Sequence, residues 1–171
     1  MESGHGYRYV GPADLAVRAK PGPDVITVTS ARVLAWWLAS RPAEEFGEPF
    51  TFVVGLDGGL RLAPRRSEHV DCAAGQPVLA AGEMLFARDG ASWSVSEISN
   101  QSTGYCPEPD SWPAVASALG RIDVAHPGDF THKFVFRRCP ACGQLNIVRD
   151  GSFACAVCDS ALPTRWNIGP A

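Results

Sequence analysis

The sequence of 171 residues contains no long apolar run. Its longest one covers residues 33–39, whereas a helix that crosses a bilayer needs about 20 apolar residues. A basic segment followed by an apolar stretch is also missing at the N-terminus, so we expect no signal peptide. Together these absences predict a cytoplasmic protein with no membrane-spanning part. Thiols stay reduced in the cytoplasm, so the six cysteines indicate metal binding or chemistry rather than disulfides.

Several common functional signatures are absent as well. There is no Walker loop, no glycine pattern for dinucleotides, no H-E-x-x-H and no G-x-S-x-G. Their absence removes the commonest nucleotide-binding, zinc-protease and esterase interpretations. The sequence therefore favours a non-enzymatic protein and leaves a small enzyme as the alternative.

Charge is sparse and unevenly placed. Only 19% of the residues are charged and 46% are hydrophobic, which is typical of a globular protein with a core of its own. The net charge is −3, yet residues 133–171 carry five basic and only two acidic residues. The five basic residues are Lys133, Arg137, Arg138, Arg149 and Arg165. A basic segment beside an acidic body indicates either nucleic-acid contact or docking of the segment on the body.

The pattern of apolar runs and turn residues predicts an α+β fold, with a mainly antiparallel sheet of β-hairpins and two or three short helices. The turn sequences Asp57-Gly58-Gly59 and Asp89-Gly90 each separate two β-prone runs and predict hairpins. We expect helices over residues 13–20, 31–40 and 111–119, with Ser30 and Ser111 as N-caps. We expect strands over residues 25–28, 50–54, 60–62, 77–87, 93–98 and 134–136, with a bulge near Glu97.

Four cysteines near the C-terminus form two C-x-x-C pairs, Cys139/Cys142 and Cys155/Cys158. Two such pairs with a short spacer are the pattern of a tetrahedral Zn²⁺ site built from four thiolates. Within the spacer, residues 145–149 are predicted as a strand, Asp150-Gly151 as a tight turn and residues 152–154 as the returning strand. The hairpin would bring the second pair back beside the first.

This arrangement resembles the zinc ribbon family, in which a β-hairpin carries one cysteine knuckle at each end. The resemblance covers about residues 134–166 and implies a structural zinc ion, because four thiolates leave no open position for water or substrate. A redox dithiol is the alternative use of such pairs. We predict an α+β body over residues 1–132 and a zinc ribbon over residues 133–171 that packs on it. Asp159 follows Cys158 where many ribbons have glycine, so we expect a distorted second knuckle.

The central segment, residues 67–107, contains an Ala-Ala-Gly run and ends in Ser102-Thr103-Gly104-Tyr105-Cys106-Pro107. It resembles a segment of some bacterial toxin-associated proteins and plant IQ-motif calmodulin-binding proteins, which ends in a Ser-Gly-His-Tyr-x-Pro turn. Here that turn lacks the histidine. The resemblance suggests a bacterial protein and implies no activity.

Three residues of the central segment are candidates for chemistry. His69 and Cys72 have the x-x spacing of a metal-ligand pair, and Cys106 lies in a turn rich in Gly and Pro. They could form a second metal site with His126 or His132 as the fourth ligand. Cys106 could instead be a thiol nucleophile activated by His69 or His132. The simpler interpretation is that His69 lies on the surface and that both cysteines are small buried residues.

Two further features of this segment have polar side chains. Glu83 interrupts an apolar strand, so its carboxylate faces solvent, or faces inward and acts as an acid or base with a raised pKa. Residues 100–103 place four consecutive hydrogen-bonding side chains on one connection. Such a run either satisfies the backbone of a turn or lines a binding site.

These observations favour a zinc-binding accessory or regulatory protein that recognises another macromolecule. A protein partner is preferred because the body is acidic and Trp36, Trp37, Trp112 and Trp166 could be exposed. The helix over residues 31–40 is apolar around most of its circumference, so we expect it to be covered on several sides. The alternatives are a small hydrolase or transferase that uses His69 and Cys106, and a nucleic-acid-binding protein that uses the basic ribbon.

Overall fold

A computed structural model of the chain describes residues 6–169 and has an α+β architecture. It confirms the predicted fold class. Its helices are α1 (Ala13–Arg18), α2 (Ala31–Ala39), α3 (His69–Cys72) and α4 (Trp112–Arg121), with short 3₁₀ turns at Ala43–Gly47 and Pro109–Ser111. Its strands are β1 (Ile26–Val28), β2 (Phe50–Gly55), β3 (Leu60–Ala63), β4 (Val78–Asp89), β5 (Ser92–Ser99), β6 (Val135–Arg138) and β7 (Leu145–Val148).

Strands β1 to β5 form one antiparallel sheet in the order β1-β3-β2-β4-β5. The two predicted hairpins are present, and Gly58 and Gly90 supply the positive φ angles that their tight turns need. The pairing of β4 with β5 shifts register between Leu85 and Phe86, which lie opposite Glu97 and Val95. Ser96 is the extra residue of this bulge, so the irregularity predicted near Glu97 is confirmed.

Helix α2 begins as predicted, because the Ser30 Oγ accepts a hydrogen bond from the Val33 N–H at 3.1 Å. The prediction that this helix is covered on several sides is wrong. Leu34, Trp37 and Leu38 are buried against the sheet, whereas 67% of the Trp36 surface is exposed. Helix α2 is therefore a one-sided amphipathic helix despite its apolar composition.

Helix α4 departs from the prediction at both ends. Ser111 precedes it but donates its hydroxyl to the Glu108 carbonyl at 2.6 Å and does not cap a helical N–H. The helix continues through Gly120 to Arg121, beyond the predicted end at residue 119. Its buried residues Val115, Ala118 and Leu119 pack on the sheet, and this packing outweighs the weak helix propensity of glycine.

The sheet is packed on both faces. One face meets α2 and α4 through the larger core, which includes Phe50, Phe52, Leu60, Leu62 and Met84. The other face carries a smaller cluster with Val53, Ala81 and Tyr105, against which α1 and α3 pack. The short helix α3 occupies a segment for which we predicted neither a helix nor a strand.

The C-terminal hairpin differs from the predicted one. Strand β7 pairs with β6, from Val135↔Val148 to Arg138↔Leu145, and not with residues 152–154. After the turn at Asp150 and Gly151, only isolated bridges join Arg149 to Ser152 and Ala154 to Ala161. The reason is local. The first C-x-x-C pair reverses the chain direction, so β6 and β7, which flank it in sequence, pair directly with each other.

Candidate metal centre

The four cysteines of the C-terminal pairs meet at one point. Their Sγ atoms all lie within 4.8 Å of one another, with 3.6 Å between Cys139 and Cys158 and 3.6 Å between Cys142 and Cys155. A tetrahedral zinc ion with Zn–S bonds of about 2.3 Å sets its sulfurs about 3.8 Å apart. The four thiols therefore fit a metal ion of this size and coordination.

Each C-x-x-C pair forms the same knuckle. In the first, the Cys139 N–H donates to the Gln144 carbonyl at 2.8 Å and the Gly143 N–H donates to Cys139 O at 2.9 Å. In the second, Cys155 and Asp159 make the equivalent bonds, at 2.9 Å to Ser160 O and at 3.0 Å to Cys155 O. The expected distortion of the second knuckle does not occur.

The second knuckle keeps its shape because Asp159 adopts the left-handed backbone conformation. Its φ of 60° is close to the 77° of Gly143 at the matching position. Aspartate tolerates this region better than most residues with a side chain. The glycine expected there is therefore replaceable.

Asn146 joins the two knuckles and was not predicted as a site residue. Its amide Nδ2 donates to the Gln144 carbonyl at 2.9 Å and to the Cys155 sulfur at 3.4 Å. Its Oδ1 accepts from the Ala156 N–H at 2.9 Å. A lone asparagine in the otherwise apolar run Leu145–Val148, between two C-x-x-C pairs, is the sequence signal that could have identified it.

The surroundings of the sulfurs lower the pKa of two of the thiols, Cys155 and Cys158, and raise that of Cys142. The Cys158 and Val157 N–H groups and the Asn146 amide lower the pKa of Cys155 to about 6. The side chain and N–H of Ser160 lower the pKa of Cys158. The Gln144 N–H lowers the pKa of Cys142, but desolvation and the three neighbouring thiols raise it to about 12. A divalent cation bound by these sulfurs would displace the protons of the thiols.

A buried ion pair fastens the cysteine hairpin to the rest of the chain. The Arg137 guanidinium contacts the Glu108 carboxylate at 2.6 Å and 3.3 Å, and the exposed fractions of the two side chains are 5% and 20%. Arg137 also donates to three carbonyls, those of Phe136, Pro163 and Thr164. All of its donor nitrogens are engaged, so it acts as a fixed cross-link.

The placement of the five basic residues argues against the nucleic-acid alternative. Arg137 is buried and is not available to a phosphate, and Lys133 is paired with Asp129 at 2.6 Å. Arg138 donates to the Gly143 carbonyl at 3.0 Å, which leaves Arg149 and Arg165 as the exposed basic residues without a described partner. Two such residues do not form the basic stripe that phosphate binding needs.

His69 and Cys72 do not join the other predicted ligands in a metal site. His69 is half-buried on α3, and its Nε2 lies 2.8 Å from the Gly82 carbonyl. Burial lowers the pKa of His69, and burial raises the pKa of Cys72 to about 12. Within residues 6–169, the four C-terminal cysteines are the only group of three or more ligands close enough to share an ion.

Cys106 is buried in a different cluster, with Phe136 and Ile168. Its thiol donates to the Thr103 carbonyl at 3.3 Å, and its own carbonyl accepts from the Trp166 indole at 2.8 Å. Burial raises the pKa of Cys106 to about 12. A neutral, buried thiol is the opposite of what an activated nucleophile requires.

The polar side chains that follow β5 have different roles: some bond to the backbone, and one lines a cleft. Asn100 is buried, and its amide group exchanges hydrogen bonds with both backbone groups of Phe134 at 2.7–2.8 Å. The Ser102 Oγ accepts from the Tyr105 N–H at 3.3 Å. Gln101 is half-buried beside Glu83 and His132 in an open cleft, whereas His126 lies elsewhere, against Trp112.

Of the tryptophans that we expected to be exposed, only Trp36 is. Trp37 is buried and donates its indole N–H to the Asp24 carbonyl at 3.0 Å. Trp112 is half-buried against Phe130, and Trp166 is half-buried against Tyr7.

No helix within residues 6–169 has the length and apolar character needed to span a membrane.

Comparison with known proteins finds no matching family model, no matching curated protein and no matching solved structure. The resemblance of residues 67–107 to toxin-associated and IQ-motif proteins gains no support from these searches.

Proposed function

We propose that this chain is a zinc-binding accessory protein, in which a structural zinc ion holds the C-terminal hairpin and its knuckles in place. The observation that carries this proposal is the convergence of four cysteine sulfurs within 4.8 Å on two matching knuckles. Four thiolates complete a tetrahedral zinc shell and leave no position for a substrate. The role of the metal is then to stabilise a segment whose own apolar cluster, around Leu162, is small.

The metal assignment is tested by counting zinc ions per chain with native mass spectrometry. The wild type should carry one zinc, and Cys142→Ser should lose it or hold it weakly. Cys72→Ala is the matched control, because Cys72 is buried in a different cluster, with Val53, and is not one of the four grouped cysteines, so this variant should keep the full zinc content. Two zinc ions per wild-type chain, or an unchanged count in Cys142→Ser, would contradict the assignment.

We further propose that the partner is a protein. Two observations support a protein over a nucleic acid: Arg137 is buried in an ion pair, and Trp36 is exposed on α2. Exposed tryptophan is enriched at the centres of protein interfaces. A partner identified by cross-linking in cells should be lost with Trp36→Ser and kept with Val17→Ser, a control that is 86% exposed on α1.

The nucleic-acid alternative has its own test. Binding to double-stranded DNA would weaken steeply with salt, and Arg149→Glu combined with Arg165→Glu would abolish it. We expect the wild type to show no such salt-dependent binding. A steep salt dependence that this double variant removes would overturn the choice of a protein partner.

A further inference from the structure

A cleft of about 250 Å³ lies on the sheet, and none of the four knuckle cysteines lines it. Its floor is the end of the β4–β5 pair, where Glu83 and Leu85 face out while Met84 between them points into the core. Helix α3 covers the same face of the sheet nearby, and its His69 contacts the Gly82 carbonyl.

Two glutamates, Glu83 and Glu97, give the cleft its negative charge. Glu83 is half-buried and Glu97 is exposed, and neither carboxylate has an ion pair or a hydrogen bond among residues 6–169. Gln101 and His132 add two hydrogen-bonding side chains at the rim. The nearby Glu48 is different, because Arg65 and Arg66 already offset its charge at 2.9 Å and 2.7 Å.

The apolar groups form the rest of the lining. Leu85, Pro49 and Phe134 contribute flat or branched apolar surface, and the Phe134 ring is stacked with Phe136 at a centroid distance of 6.4 Å. This stacking fixes the ring at the wall of the cleft. A site with an apolar wall and a few converging polar groups is the usual composition of a small-molecule site.

We propose that this cleft binds a small organic cation, a primary amine or amidine carried on a flat apolar group. The cationic group would pair with Glu83, with Glu97 nearby, and the flat group would lie against Phe134 and Leu85. A metal ion is not the expected occupant, since Glu83, Glu97 and His132 do not come close enough together to share one. The volume is below the ~300 Å³ of the smallest drug-sized pockets, which limits the ligand to a small molecule.

The test uses the full chain with zinc bound and 2-phenylethylamine as the probe, followed by ¹H–¹⁵N NMR titration. We expect low-millimolar affinity and shifts concentrated at the amides of Glu83, Leu85 and Gln101. Ethylamine, which lacks the ring, should bind at least tenfold more weakly. Phenylacetate, with the same ring and the opposite charge, should not bind.

Two variants locate the charge that recognises the amine. Glu83→Gln keeps the shape of the side chain and should weaken binding at least tenfold, because it removes a charge-assisted contact. Glu44→Gln, on the 3₁₀ turn outside the cleft, is the matched control and should bind as the wild type does. Equal binding of phenylacetate, shifts away from the cleft, or unchanged affinity of Glu83→Gln would each overturn the proposal. The comparison of amine with carboxylate uses the wild type alone, so it holds even where the variant misfolds.

Discussion

Arg137 is the residue whose removal should cost the protein most stability. Its guanidinium and the Glu108 carboxylate are both largely buried, and each neutralises the other. Arg137→Met should lower the free energy of unfolding by about 3 kcal/mol, because it leaves a buried carboxylate unpaired. Urea unfolding measures the loss. Arg149→Met, at an exposed position, is the control and should change stability by less than about 0.5 kcal/mol.

The double variant Arg137→Met/Glu108→Met distinguishes the interaction between the two charges from the contribution of each side chain alone. Removing both charges should restore part of the stability that Arg137→Met loses, since no charge is then buried alone. If the double variant loses as much stability as Arg137→Met and Glu108→Met lose in sum, the two side chains act independently.

The buried thiols give a second prediction for single residues. Burial raises the pKa values of Cys72 and Cys106 to about 12, so both should stay neutral and unreactive near neutral pH. Iodoacetamide should modify neither in the folded protein and both after denaturation, as mass spectrometry of peptides would show. Rapid, selective modification of Cys106 in the folded state would restore the thiol-nucleophile alternative.

Glu83 should make stability depend on pH. Desolvation, and to a smaller extent Glu48, hold its pKa above the ordinary value of 4.5, so the folded chain binds this proton more tightly than the unfolded chain. That contribution is fully present below pH 4.5 and is lost as the pH rises through the raised pKa. Glu83→Gln should therefore gain stability relative to the wild type as the pH rises above 4.5 and through the raised pKa of Glu83. Thermal unfolding midpoints measure this, and a difference that stays constant with pH would contradict it.

Among the structural elements, the cysteine hairpin should depend on the metal and the five-stranded sheet should not. The Gly143 and Asp159 amides donate within the knuckles, which the metal would hold closed. Chelation of the proposed zinc ion should speed hydrogen exchange at these amides at least tenfold, because local opening then costs little free energy. Amides of β2 and β4 should keep their protection. Equal loss of protection in β2 and β4 would mean that the metal holds the whole fold together.

The same elements show what the sequence could and could not predict. Turns at Asp57–Gly59 and Asp89-Gly90, the Ser30 cap and the cysteine pairs depend on neighbouring residues, and all were identified correctly. The partner of β7 was predicted wrongly, because the choice between two adjacent segments depends on how the knuckle turns the chain. The cross-link between Arg137 and Glu108 spans distant segments and leaves no local pattern.

For the whole molecule, we expect the body over residues 1–132 to be incomplete without the segment that follows. Asn100 would lose both hydrogen bonds to Phe134, Glu108 would lose Arg137, and Cys106 would lose its packing against Phe136. A chain that ends at residue 132 should therefore unfold at a lower urea concentration than the full chain. An unchanged midpoint would show that the body folds independently of the cysteine hairpin.

The separation of Glu108 from Arg137 also sets an order of events at the ribosome. Arg137 is synthesised 29 residues after Glu108, which takes a few seconds at ~5–20 residues per second. During that interval the carboxylate must stay hydrated, because burying it alone is costly. The part of the nascent chain around Glu108 therefore closes only after Arg137 has been made, and the cysteine site is completed later still, because Cys155 and Cys158 follow Arg137 in the chain.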